Sequence, residues 1–184
     1  MTDFKTMTDF TNTPAHRTSA LDIGLLVLRI GVGAAILQAG LIKAFDYGAT
    51  VGFLESAGWR LPELAAFMVT ASETLGGIGL LLGALTPLAA CAVVAAMIDA
   101  WAVNVAGAAF WSDPFNVPFL LAFGATALLF AGAGAYSVDA RLLNRVRWSA
   151  RTSVALLVVA VAAAVVTWIA LNGTNPIHLT SPTG

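Results

Sequence analysis

Five stretches of this chain, roughly 21–45, 63–85, 87–110, 115–135 and 150–172, are predominantly apolar over the ~20 residues that a helix needs to cross a bilayer. Backbone polar groups in hydrocarbon must be satisfied within the protein, so each run is expected to be a helix. The predicted fold is an all-α integral membrane protein: an antiparallel four-helix transmembrane bundle over 21–142, then a fifth C-terminal transmembrane helix. Only 10% of the 184 residues are charged, against about 25% in soluble domains, which supports the same class. Residues 1–20 are expected to form a disordered cytoplasmic tail, 143–172 a basic connection with the fifth helix, and 173–184 an extracytoplasmic tail. The first run continues through Gly40 to Phe45, too long for a cleaved signal segment of ~7–15 apolar residues.

Residue types narrow the chemistry. Cys91 is the single cysteine, so no internal disulfide or C-x-x-C pair can form. His16 and His178 both lie in the polar tails, so with no His and one Cys in the spans an intramembrane haem, iron–sulfur or zinc site is hard to build. No metal site and no covalently bound cofactor are expected. Any electron transfer then needs a diffusible carrier or a partner protein. No basic, aromatic-interleaved patch points to nucleic acid, and the lipid bilayer is the first partner expected.

Thr86-Pro87 alone separates the second and third spans, which predicts a tight helical hairpin with Pro87 in the first turn of its second helix. Arg141, Arg145, Arg147 and Arg151 form the densest basic cluster and are expected on the cytoplasmic side. Lys5 and Arg17 fall on that side when four spans separate the two segments, so the N-terminus is expected inside and the C-terminus outside. Leu142, Leu143, Val146 and Trp148 interleave with the arginines, as in a short interfacial helix. Trp59, Trp111 and Trp148 are read as interfacial anchors, and the fifth span, whose polar group is Thr167, as an anchor or packing helix.

Arg29, Glu73 and Asp99 lie well inside the first three spans, one on each. Counted from the span ends at 1.5 Å per residue, all three fall near mid-depth. Each costs at least ~2.5–3.5 kcal/mol alone at the bilayer centre, so a mutually paired buried cluster is expected. Arg29, Gly33, Ile36, Gly40 and Lys43 share one helical stripe, and Thr70, Glu73, Gly76 and Gly77 share another. The small residues let backbones approach. Two acids against one base leave one carboxyl able to bind a proton reversibly, which suits a site for a quinone, a proton or a small molecule. Lys43, Thr70, Asn104 and Gln38 are candidate ligand-binding groups around it, Gln38 on the face opposite Arg29.

The motifs resemble those of the DoxX family. "LRIGVGAAILQAGLIKAF" is similar to its first helix, with an Arg, spaced glycines and the G-x-x-K formed by Gly40 and Lys43. "ETLGGIGLLLGALTPLAA" resembles its second helix and turn. "AGAGAYSVDA" resembles the ending of its fourth, here Gly132, Gly134, Tyr136, Ser137 and Asp139. The resemblance covers roughly 21–142 and implies a four-helix bundle associated with redox proteins in the bacterial plasma membrane. Relatives include the membrane subunit of a thiosulfate:quinone oxidoreductase. The fifth span departs from that core.

The function expected is a membrane subunit of a redox complex that faces the quinone pool and docks a redox protein. At most it is a membrane subunit of a quinone-linked oxidoreductase, and it can self-associate as a homo-oligomer. The alternatives are a structural or assembly subunit without a ligand site, and a small proton-coupled transporter. A ligand-accessible cavity separates the first reading from the structural one.

Overall fold

A computed structural model describes residues 20–180. Of the expected N-terminal tail only Ala20 falls within them, and residues 181–184 lie outside. All regular secondary structure among the described residues is helical, in the order α1 (Ala20–Phe45), α2 (Tyr47–Ser56), α3 (Pro62–Leu82), α4 (Thr86–Ala106), α5 (Val117–Ala131), α6 (Val138–Leu142) and α7 (Ala150–Thr167), with a π-helical turn at Trp168–Asn172. Four helices are long and apolar enough to cross a membrane: α1, α3, α4, and α7 with its π turn. The chain is a membrane protein by these spans.

The stretch expected as the fourth span, 115–135, is helical only over the 15 residues of α5. At 1.5 Å per residue that is about 22 Å, short of the ~30 Å hydrocarbon core. Its limits are local. The Asn116 side chain accepts the amide of Phe119 at one end, and Gly132 at φ +85° stops the helix at the other. Gly134, at φ +73°, keeps the chain non-helical beyond it.

Helix α1 packs along α3, α3 on α4, α4 on α5, and α5 returns to α1. Glycine sets the closest of these contacts. A Cβ on Gly77 would come within 2.6 Å of the Leu37 amide nitrogen, and one on Gly40 within 2.6 Å of that of Thr74. Gly33 faces Leu81 in the same way, so the α1 and α3 backbones touch in one fixed register. Helix α7 lies outside this ring, packed mainly on α4 and more lightly on α5. There Ser153 donates to the Leu129 carbonyl at 2.7 Å and Cys91 to that of Leu156 at 3.3 Å.

Helix α2 was not visible in the apolar pattern. Asp46 caps it by accepting the Ala49 amide at 3.2 Å, and it folds back over α3. This brings Trp59 inward. Trp59 is buried, edge-to-face with Trp168 at 5.7 Å, in a cluster with Leu54, Ala66, Ala102 and Leu171. It is therefore a packing residue and not the interfacial anchor expected, whereas Trp111 is exposed. The basic connection forms only the five residues of α6, capped by Ser137, and then runs without helix to Ser149. Arg145 stacks over the Trp148 ring at 5.3 Å there.

Candidate functional site: a lipid-side cavity with three ionisable groups

Arg29 belongs to a different part of the molecule from Glu73 and Asp99. Its side chain is 1% exposed and is spent on backbone carbonyls. Nε donates to Leu80 at 3.0 Å, Nη2 to Leu81 at 3.1 Å, and Nη1 to Ala133 at 2.5 Å and Tyr136 at 3.0 Å. The guanidinium thus closes the C-terminal end of α3, where carbonyls lack helical partners and the dipole is negative. Asp139 does the converse at the start of α4. Its carboxylate accepts the amides of Leu85 at 2.7 Å and Thr86 at 2.9 Å, while its own amide donates to Gly83. No side chain fits between them: Gly83 has φ +63°, and a Cβ would lie 2.8 Å from Cζ of Arg29.

The expected Arg29–Glu73 pairing is therefore corrected. Glu73 stands ten residues before Gly83, about 15 Å along α3. The depth count had set the starts of the first span and of the hairpin turn level. The glycine register instead brings Arg29 to the turn, so the first nine residues of α1 project beyond it. That extension packs on the 133–136 segment, where Asp22 accepts the Ala135 amide at 3.0 Å.

Glu73 instead pairs with Lys43, Nζ to Oε2 at 2.7 Å, the one ion pair found among the described residues. Gly40 makes the pair possible by letting α1 lie against the backbone at Glu73 and Thr74. Glu73 is 2% exposed and the Lys43 side chain 30%. Lys43 also reaches its own Ala39 carbonyl at 3.4 Å.

This pair borders a cavity of about 450 Å³. Its floor is α4, from Leu88 and Cys91 through Ala92 and Ala96 to Asp99 and Asn104. Helix α3 supplies one wall with Met68, Val69, Ser72 and Glu73, and α7 the other with Ala160, Ala163, Ala164 and Thr167. Phe53 and Leu54 of α2, and Trp59 just after it, also line the space. Helices α3 and α7 flank α4 without packing along one another, so the cavity opens between them, toward the surface that lipid would cover. The alanines on α4 and α7 keep the space open, and most of the lining is apolar. That size and lining, with a few converging polar groups, are those of small-molecule sites.

Of the candidate residues, Glu73, Asp99, Lys43 and Asn104 line this cavity. Arg29, Thr70 and Gln38 do not. Thr70 has a buried Oγ1 without a hydrogen-bond partner, and Gln38 is exposed. Asp99 has no hydrogen-bond or ion-pair partner among the described residues. The sequence reading missed the α7 wall and Thr50 of α2. Thr167 was the available signal, as the polar side chain of an otherwise apolar run. No group of three or more metal-ligating side chains occurs among the described residues.

No curated protein and no solved structure matches the chain. A family model described as DoxX matches residues 24–105, from the first turns of α1 almost to the end of α4. The matched segment holds the α1–α3 glycine contacts, the Lys43–Glu73 pair and the α4 floor of the cavity, and stops before α5 and α7. Over that segment, residues 24–105, the chain carries a DoxX domain.

Proposed function

We propose that this protein is a ligand-binding membrane subunit of a redox complex, facing the quinone pool through the cavity between α3, α4 and α7. The observation that carries the reading is the cavity itself: about 450 Å³, mainly apolar, open on the lipid side, and bordered by Lys43, Glu73 and Asp99. A lipid-soluble carrier reaches such a site from the bilayer without crossing water. Its oxygen substituents meet hydrogen-bonding side chains there, while its ring and tail contact alanine, leucine and tryptophan. The cavity favours this reading over a purely structural subunit, whose packing needs no such space. A redox protein partner is the proposed source or sink of electrons, and a homo-oligomer is one assembly in which it docks.

A photoreactive quinone analogue added to membranes containing the protein tests this. Labelling is expected within 88–104 and 150–172, and excess unmodified quinone should suppress it. Labels scattered over the lipid-facing surface, or insensitive to competitor, would leave the structural-subunit reading in its place.

The proposed setting is the bacterial plasma membrane, with five crossings, the N-terminus inside and the C-terminus outside. The 115–135 stretch makes its crossing with non-helical ends. Two contacts support that. Trp101, toward the end of α4, donates to the Pro114 carbonyl at 2.9 Å, and Ala133 accepts from Arg29 at the hairpin turn. The stretch therefore runs back alongside α4 to the level of the turn. A reporter active only in the cytoplasm should be active when fused after Arg147 and silent when fused at residue 184. The reverse pattern, or activity at both positions, contradicts the topology.

A further inference from the structure

The cavity does not balance its charges. Glu73 is matched by Lys43 at 2.7 Å, whereas Asp99 on the facing helix has neither a hydrogen-bond nor an ion-pair partner among the described residues. Both carboxyl groups border the same space, and only one is answered. We infer that the cavity binds a lipophilic molecule carrying one positive charge, with the Asp99 carboxylate as its counter-ion. This rests on the reading of the cavity as a ligand site, and it names a class of ligand other than the neutral quinone proposed above.

Three physical considerations select that class. A carboxyl in low-dielectric surroundings without a counter-charge is relieved either by a proton or by a bound cation, and a cationic ligand displaces the proton and gains an ion pair that a neutral ligand cannot. An anion gains nothing comparable. The cation it would seek, Lys43, is held by Glu73, and Asp99 repels it across a medium that screens poorly. The rest of the lining then sets the body of the ligand. Ala92, Ala96 and Ala164 leave room for a bulky apolar group, and Trp59 and Phe53 are aromatic side chains in the lining, a residue type that attracts cations. The open side between α3 and α7 lets such a molecule enter from the bilayer.

A pair of probes with the same shape and opposite charge isolates the inference. Tetraphenylphosphonium and tetraphenylborate are titrated onto the full-length protein in phosphatidylcholine nanodiscs, with protein-free nanodiscs as the blank. The phosphonium should bind saturably above the blank and the borate should not, and Asp99→Asn should weaken the phosphonium by about tenfold or more. Equal binding of the two ions, no saturable phosphonium binding, or full phosphonium affinity in a folded Asp99→Asn variant would overturn the inference. If that variant does not fold, the preference of the unmodified protein between the two ions decides alone. Quinone labelling of the cavity without phosphonium binding defeats the charge inference and spares the ligand site; failure of both defeats the site as well.

Discussion

Helix α1 carries a cation toward each end, and the protein treats them oppositely. Arg29 is fully enclosed and gives its hydrogen bonds to four carbonyls, two at the end of α3 and two in the 133–136 segment. Lys43 meets a single carboxylate and stays partly exposed at the edge of a cavity. The first region binds its charge to the backbone, which fixes a turn. The second keeps side-chain charges beside an opening, where a ligand can meet them. Burial alone does not mark a functional charge in a membrane bundle; what distinguishes the two regions is whether the charged group still has something left to bind.

Substitutions at the two ends should differ accordingly. Arg29→Leu strands the α3 carbonyls and leaves Asp139 without the nearby opposite charge, and is expected to cost about 3–5 kcal/mol. Folded protein recovered in detergent should fall steeply. Lys43→Met strands one carboxyl group, Glu73, rather than several carbonyls and an acid, and should cost about 1–3 kcal/mol. Adding Glu73→Gln should recover most of that smaller loss. Equal losses at the two ends, read from thermal unfolding of the purified variants, would erase the distinction.

Much of this was legible in the chain. The apolar runs announced α1, α3, α4 and α7, because crossing hydrocarbon demands about 20 apolar residues regardless of packing. Thr86-Pro87 announced the hairpin, and Gly40, Gly77 and Glu73 sit where their spacing on common helical faces put them. Length was misread at 115–135 because apolar composition continues through residues whose backbone cannot stay helical once Gly132 and Gly134 adopt positive φ. Helix α2 escaped notice because ten residues capped by Asp46 give no apolar run of spanning length.

The misassignment at Arg29 has a different origin. Depth was counted from span ends, but the α1–α3 register is fixed by where glycines let backbones touch, and that offset cannot be read from either helix alone. Asp139 could have been suspected, since "GAGAYSVDA" ends in an acid just after a serine suited to capping a helix. Its partners, the Leu85 and Thr86 amides, lie more than fifty residues earlier in the chain. The α7 wall of the cavity was hidden for the same reason: alanines at 160, 163 and 164 look like any packing face until α4 lies beside them.

The separation of the two charged regions is tested most directly by a double-mutant cycle on Arg29→Leu and Glu73→Gln, read as thermal or denaturant stability in one detergent. The Arg29 guanidinium meets α3 at Leu80 and Leu81, seven and eight residues or about 10–12 Å past Glu73, so without shared partners the effects should add, with a coupling energy within about 0.5 kcal/mol of zero. A coupling above about 1.5 kcal/mol, with Glu73→Gln rescuing Arg29→Leu, would mean that the two side chains pair after all and that the regions are one.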